Sequence, residues 1–239
     1  MNGYNYVQTN AKRLSHLMHR NKGVARVTSK VLLSVPFVTK LSTWNTVGEP
    51  MLFQKYNPSI LIAARIMRQG GVIAYPTEAV WGLGCSPSNK SAVHRILSLK
   101  RRHVSKGVIL VASSIDQFAP YLHHITPEQR AILSASWPGP FTWLVPHHHL
   151  VPSWVSGDHE SVALRVSEHP HVRYLCDAFG GPIVSTSANT QGKPAATQAW
   201  QVKRYFNQRS ELDWIVRGCV GKRTAPSTIT DLVTGEVVR

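Results

Sequence analysis

Hydroxyl and amide side chains follow two short apolar runs of this sequence, where we expect two strands to end. Residues 72–75 have the length and bulk of a buried strand, which Pro76 ends just before Thr77. A second run, 182–184, opens into four hydrogen-bonding residues: Ser185, Thr186, Ser187 and Asn189. Since open α/β sheets bind ligands at the carboxyl ends of their strands, these groups could hold phosphate, carboxylate or ribose oxygens. A polar turn without a ligand explains them equally well.

Lys100 and Arg102 place two cations on a short segment at the end of a predicted helix. A lysine offers phosphate a point charge and an arginine a planar fork of donors, so the pair could bind a polyphosphate. The solvent-exposed carboxyl end of a helix favours Lys and Arg in any case. The sequence leaves both interpretations open.

Arg165 is a charge inside an apolar strand pattern, VALRV at 162–166. We expect it to be partly buried, and a buried charge needs a partner. That partner is either a carboxylate of this chain or a substrate carboxylate held by two hydrogen bonds. Because the chain has only 12 Asp and Glu residues, we favour the substrate.

Familiar catalytic motifs are missing from the sequence: it has no Walker A, GxGxxG, HExxH or GxSxG pattern and no evident nucleophile–base pair. Residues 147–149 are three histidines between prolines, and adjacent residues cannot all face one metal on a helix or strand. We predict a solvated loop there and assign no metal ligand and no catalytic group. An enzyme of this kind would work by positioning reactants and stabilising charge.

Short apolar runs alternate with helical patterns from residue 59 onward. The patterns predict strands at 72–75, 108–112, 141–145, 162–166, 182–184, 214–216, 228–232 and 236–239. They predict helical segments at 59–69, 90–99, 115–122, 127–135, 169–179 and 197–206, and a Gly-rich turn at 81–84. This alternation predicts an α/β fold with a parallel or mixed sheet and flanking helices.

The composition restricts the partners and the compartment. A net charge of +15 favours polyanions, whether nucleotides, RNA or an anionic membrane surface. No run approaches the roughly 18 apolar residues of a membrane-spanning helix. Three well-separated cysteines suggest a reducing compartment, with neither a disulfide framework nor a zinc site, and we expect a cytoplasmic location.

Residues 1–50 differ from the rest of the chain, with seven Lys and Arg against the single acid Glu49. The segment faintly resembles a transit peptide, and a basic arm that binds RNA is a second possibility. We expect a basic extension over 1–50 that is poorly ordered or non-native, followed by one catalytic domain over 51–239, where Met51 would make a good start.

Six stretches together resemble the YrdC family, and within it the bacterial synthases, in family order and spacing. They are VIAYPTEAVWGLGC at 72–85, LKRRHVSKGVILVA at 99–112, WPGPFTWLVP at 137–146, SVALRVSEHP at 161–170, PIVSTSAN at 182–189 and PSTITDLVTGE at 226–236. The resemblance implies a single YrdC-like domain, an open twisted sheet with a basic concave face. It implies a nucleotidyltransferase that condenses L-threonine, bicarbonate and ATP to threonylcarbamoyl-adenylate and pyrophosphate, with ATP as substrate, magnesium as its ion and no prosthetic group.

The same resemblance implies the residues of the site and the partners of the protein. ATP would be bound by Lys100, Arg102, Ser187, Asn189 and Ser227. Threonine would be bound by Thr77, Arg165 and Ser185, with Arg165 on its carboxylate. The product would serve a separate transferase complex that modifies adenosine beside the anticodon of tRNA, and tRNA or double-stranded RNA could bind directly.

The sequence departs from the family pattern at His103, where proline is more usual, and this puts the rigidity of the loop in question. It also shows no extra C-terminal domain, so a lid would come from this domain or from residues 1–50. Two other functions stay open: an RNA-binding module that uses the basic face without chemistry, and a carbamoyl-transfer role like that of larger enzymes with the same domain.

Overall fold

A computed structural model describes residues 57–206, 212–225 and 227–238 of the 239-residue chain. The expectations for residues 1–50 lie outside these described residues and stay predictions. Among the described residues, no helix is both long enough and apolar enough to cross a bilayer.

Strands and helices alternate along the described chain, in the pattern that the sequence predicts. The strands are β1 (Ile73–Pro76), β2 (Trp81–Gly84), β3 (Ile109–Ala112), β4 (Phe141–Pro146), β5 (Ser161–Val166), β6 (Ile183–Ser187), β7 (Trp214–Ile215) and β8 (Thr228–Asp231). The α-helices are α1 (Pro58–Arg68), α2 (Lys90–Lys100), α3 (Pro127–Ser136), α4 (Ser153–Ser156), α5 (Pro170–Phe179) and α6 (Ala199–Phe206). Two 3₁₀ helices span Val104–Lys106 and Ile115–Tyr121.

All eight strands form one open sheet in the order β7-β1-β2-β6-β3-β5-β4-β8. The pairs β1–β7, β3–β5 and β4–β8 are parallel, and the other four are antiparallel. The predicted mixed α/β sheet is therefore confirmed. The predicted strand at 236–239 is reduced, within the described residues, to one antiparallel bridge between Val237 and Thr230.

The segment predicted as a Gly-rich turn, 81–84, is strand β2. Trp81 and Leu83 pack into the core, whereas the two glycines leave space on the other face. A Cβ on Gly84 would lie 2.7 Å from Tyr75 Cε1 and 2.9 Å from the Val184 carbonyl oxygen. Gly84 allows Tyr75 and Val184 to pack closely against β2. From the sequence alone, a glycine required by such packing cannot be told from a glycine in a turn.

Helices cover the two faces of the sheet unequally. On one face, a large core joins α2 and α3 to alternate side chains of the central strands, such as Leu110 and Leu164. On the other face, a smaller core lies under α1 and α5, around Tyr75 and Leu175. Neighbouring side chains of β4 and β5 on this second face, among them Arg165, line a cavity instead.

Candidate active site

The cavity has a volume of about 700 Å³ and opens on the partly covered face of the sheet. All eight residues that the resemblance assigns to threonine and ATP line it: Thr77, Lys100, Arg102, Arg165, Ser185, Ser187, Asn189 and Ser227. With Lys106 and Arg223, the described lining has five Lys or Arg residues in all, and Glu78 is its only Asp or Glu. Stretches up to 150 residues apart in the chain therefore form one anion-attracting cavity.

Arg165 has a carboxylate partner inside the chain, contrary to our expectation that the substrate alone would supply it. The Arg165 guanidinium forms an ion pair with Glu78, and both side chains are largely buried. Our reasoning from the scarcity of acids was wrong because a single acid, placed at the end of the neighbouring turn, is enough. Arg165 Nε is buried and has no hydrogen-bond partner among the described residues.

The Glu78 carboxylate is held by neighbours that favour its charge. Ser167 Oγ donates a hydrogen bond of 2.7 Å to Glu78 Oε1, the same oxygen that contacts Arg165. Burial alone would raise the pKa of Glu78, but the Arg165 charge and the hydrogen bonds from Arg165 and Ser167 lower it below its ordinary value. Glu78 is therefore a carboxylate at neutral pH.

Thr77 and Glu78 sit on a turn that backbone contacts hold from two sides. The Thr77 amide and hydroxyl both donate to the Val80 carbonyl, at 3.1 and 2.7 Å. The Gly221 amide donates to the Thr77 carbonyl and the Arg223 amide to the Glu78 carbonyl. A Cβ on Gly221 would lie 2.7 Å from the Glu78 carbonyl oxygen, so glycine permits this close approach.

Tyr75 orients Ser185 from beneath the cavity floor. The buried phenol donates a hydrogen bond of 2.7 Å to Ser185 Oγ. Burial strongly raises the pKa of Tyr75, so the hydroxyl remains a donor at all ordinary pH values. Ser185, Thr186 and Ser187 lie on β6 itself and do not follow it as the sequence suggested, because the strand continues through them in register with β2 and β3.

Lys100 joins the end of α2 to the segment after β6. Its ammonium donates to the Asn189 side-chain oxygen at 2.9 Å, to the Asn189 carbonyl at 3.2 Å and to the Ser187 carbonyl at 2.5 Å. Lys100 is only 6% exposed, which excludes the alternative of a solvated lysine at a helix end. Asn89 caps the amino end of α2, and Ala92, Val93 and Ile96 bury one face of the helix, so packing fixes the position of Lys100.

The Lys100 side chain titrates at a lower pH than an ordinary lysine. Burial, followed by the nearby Arg102 charge, lowers the pKa of Lys100 to about 8. The oxygens of Ser187 and Asn189 that accept hydrogen bonds from Lys100 are neutral, so a phosphate in the cavity would supply a negative charge beside the ammonium.

Arg102 and His103 belong to the short loop before β3. The Arg102 guanidinium donates to the carbonyls of Lys106 and Gly107 at distances between 2.8 and 3.2 Å. His103 has φ of −67°, the value that a proline ring would impose, and its ring caps the 3₁₀ turn through Ser105. The side chain therefore supplies order that the missing proline would otherwise provide.

Ser227 lies on the far wall of the cavity, and its hydroxyl is within 2.9 Å of the Thr142 hydroxyl. Sequence reasoning missed Thr142, Tyr75 and Ser167 as neighbours of the site. Each is a single hydroxyl in an apolar strand or at a strand end, and only the sheet order brings them close. Our prediction for the histidines at 147–149 was partly wrong, since His147 is buried and hydrogen-bonded to the His159 carbonyl.

The described residues contain no group of three or more His, Cys, Asp and Glu side chains that could hold a metal ion. The one carboxylate among the described lining residues, Glu78, is engaged by Arg165. The lining therefore does not fit a magnesium ion held by protein ligands.

Curated relatives of this chain share one activity name. This chain is 53% identical over 189 residues to the threonylcarbamoyl-AMP synthase of Cellvibrio japonicus, a match that covers 79% of this chain and 99% of that protein. It is 55% identical over 177 residues to the threonylcarbamoyl-AMP synthase of Pseudomonas entomophila, covering 74% of this chain and 94% of that protein.

Solved structures share the fold. P. abyssi Sua5 complexed with L-threonine is 32% identical with a TM-score of 0.69; the match covers 75% of this chain and 53% of Sua5, so this chain spans about half of that protein. E. coli YciO is 26% identical with a TM-score of 0.67, over 77% of this chain and 89% of YciO. Residues 65–239, which include the whole cavity lining, match the family model Sua5/YciO/YrdC, described as telomere recombination, and this chain belongs to that family.

Proposed function

We propose that this protein is a threonylcarbamoyl-AMP synthase, a nucleotidyltransferase that converts L-threonine, bicarbonate and ATP to L-threonylcarbamoyladenylate and pyrophosphate. The observation that carries the proposal is that all eight ligand residues implied by the resemblance line one cavity. Relatives of more than half identity that bear this name support it, as does the threonine complex of P. abyssi Sua5.

The chemistry needs two successive attacks and no protein nucleophile. The α-ammonium of threonine gives a proton to solvent, and the amine attacks the bicarbonate carbon; loss of water leaves a carbamate. A carbamate oxygen then attacks the α-phosphorus of ATP, and the bond to pyrophosphate breaks. Both steps bring anions together, so aligned reactants and neutralised charge provide most of the catalysis.

Each part of the cavity suits one reactant. Arg165 would bind the threonine carboxylate, with Thr77 and Ser185 beside it in the cavity lining. Lys100 and Arg102 would bind the ATP phosphates, with Ser187, Asn189 and Ser227 around the nucleotide. Since Ser187 lies beside Lys100 and Ser185 faces the same cavity from β6, the strand would bring the two substrates together.

Magnesium would enter as part of the ATP substrate, since the described lining offers no protein site for it. We assign no step of the reaction to that ion. The excess of cationic side chains in the lining supports the proposal of a basic concave face that attracts ATP.

The biological setting follows from the proposed product. Threonylcarbamoyl-adenylate would supply the modification of adenosine next to the anticodon of tRNA, in the cytoplasm, through a separate transferase complex. Direct binding of tRNA or double-stranded RNA would use the same basic face. A largely buried arginine and a buried lysine in one cavity favour a small-molecule enzyme over an RNA-binding module, because binding along a phosphate backbone uses exposed cations.

The test is pyrophosphate release from ATP by the purified full chain, with each substrate omitted in turn. We expect release only when threonine and bicarbonate are both present. Pyrophosphate release that continues when threonine or bicarbonate is omitted would contradict the proposal. Salt-sensitive RNA binding without any pyrophosphate release would favour the RNA-binding module.

A further inference from the structure

We propose that the Glu78 carboxylate binds the α-ammonium group of the amino-acid substrate, directly beside the carboxylate site at Arg165. The inference rests on the proposed function, because it assigns a further contact to the same substrate. It makes Glu78 a specificity-determining residue, in addition to its role as the partner of Arg165.

The position of Glu78 is the first observation. Glu78 lies in the cavity wall next to Thr77 and opposite Arg165, and it is the one carboxylate of the described lining. A carboxylate that served only to neutralise Arg165 could lie behind the guanidinium, away from the cavity. Here Glu78 and Arg165 both line the cavity, and their side chains are 8% and 15% exposed.

The rigidity of Glu78 is the second observation. Ser167 fixes the carboxylate at 2.7 Å, and the Arg223 amide holds the Glu78 backbone carbonyl at 3.1 Å. Gly221 lets a second backbone segment pack directly against residue 78. This many restraints on one acid are typical of a group that has to be presented in a single geometry.

The charges of the substrate match those of the wall. An amino acid is a zwitterion, with its ammonium and carboxylate on the same carbon atom. A zwitterion laid head to tail against the Arg165–Glu78 pair gives every charge two partners of opposite sign and adds no net charge to the cavity. This arrangement does not use Lys100 and Arg102, the two cations assigned to the polyphosphate.

Such a contact would also place the attacking nitrogen. Because Arg165 and Ser167 keep Glu78 ionised, it accepts a hydrogen bond from the ammonium and, once a proton has left, from the neutral amine. The lone pair of the amine then points away from Glu78, toward bicarbonate. Glu78 is a weak base in this environment, so the proton goes to solvent.

The experiment compares two ligands by titration calorimetry on the full chain: L-threonine and (R)-3-hydroxybutanoate, which lacks only the amino group. We expect the wild-type protein to bind threonine at least about tenfold more tightly, the effect of one charged hydrogen bond. Equal affinities would overturn the inference while leaving the proposed function intact. Absence of threonine binding would overturn both.

Two variants locate the discrimination at Glu78. Glu78→Gln keeps the size of the side chain but removes the charge, and it should reduce the preference for threonine to less than about threefold. Glu78→Asp keeps a counter-charge for Arg165, which protects folding, but withdraws the carboxylate by one methylene and should weaken threonine binding without affecting the analogue.

The matched control is Glu160→Gln, which removes an exposed carboxylate outside the cavity and should keep the full preference. A purely structural role for Glu78 would lower the affinity for both ligands equally. That result, or full discrimination in either Glu78 variant, would overturn the inference.

Discussion

In the proposed site, Arg165 and Glu78 bind the carboxylate and the ammonium group of the amino-acid substrate. Burying an ion pair such as Arg165–Glu78 costs desolvation free energy. Removing one partner destabilises the fold further, because the other is left as an unpaired buried charge. Substitutions that delete one partner therefore mix substrate binding with folding. Variants that keep the charge and change its geometry, such as Glu78→Asp, are therefore needed beside Glu78→Gln, which removes the charge.

We expect Arg165→Lys to raise KM for threonine by about 10- to 100-fold, because an ammonium cannot reproduce the planar donors of a guanidinium. KM for ATP should change little, since Arg165 is assigned to threonine. Steady-state kinetics with each substrate varied in turn would check this. Arg130→Lys, an exposed position on α3, is the control and should match the wild type. An unchanged KM for threonine in Arg165→Lys would refute the assignment.

Lys100 gives a prediction about pH. Its pKa of about 8 means that the ammonium is present below that pH and is lost above it in the free protein. Since the ammonium is the form that attracts phosphate, ATP affinity should be steady below about pH 8 and weaken as the pH rises past it, by up to about tenfold per unit. Calorimetric titration with ATP across this range measures the effect.

The control for this pH prediction is Lys100→Arg, whose charge persists throughout the range and which should bind ATP with little dependence on pH. If the wild type and Lys100→Arg showed the same pH profile, Lys100 would not be the titrating group.

The elements that carry these residues depend on close contacts within the sheet. Strands β1 and β2 pair directly, with the turn that holds Thr77 and Glu78 between them. The ring of Tyr75 lies over Gly82 and Gly84 and reaches Ser185 on β6. The geometry of the threonine site is therefore coupled to the packing of these glycines.

We expect Gly84→Ala to destabilise the protein by about 1–3 kcal/mol, because the new methyl group would overlap Tyr75 and the Val184 carbonyl. Denaturant unfolding would measure the change. Gly181→Ala is the matched control, since no heavy atom lies within 4 Å of its Cβ position, and it should stay within about 0.5 kcal/mol of the wild type. Equal stabilities of the two variants would contradict this account of β2.

The sequence predicts the helices and most of the strands because their apolar patterns are local. The helix predicted at 90–99, for example, is α2, and its apolar residues Ala92, Val93, Ile96, Leu97 and Leu99 are buried. Strand β2 was missed because its glycines resemble those of a turn. They are required by the ring of Tyr75, which lies on another strand and packs against them. The order of the strands, and with it the contacts of Glu78 with Arg165 and Ser167, depends on long-range pairing that no local pattern encodes.

At the scale of the whole molecule, the described residues of the cavity all lie between Thr77 and Val238. All eight residues assigned to the substrates follow Met51 in the sequence. We predict that a chain starting at Met51 keeps its rate of pyrophosphate release within about twofold of the full chain, a change in activation free energy of less than about 0.5 kcal/mol. Steady-state rates of the two purified proteins would show this. Loss of activity in the shorter chain would instead give residues 1–50 a role in catalysis, such as a lid.

The central claim is that one cavity joins threonine, bicarbonate and ATP into a single product. The most direct measurement incubates the full chain with isotopically labelled bicarbonate, threonine and ATP, and identifies the product by mass spectrometry. We predict an adenylate that contains threonine and the labelled carbon, formed in step with pyrophosphate. Formation of AMP or ADP without labelled carbon in any adenylate would contradict the claim.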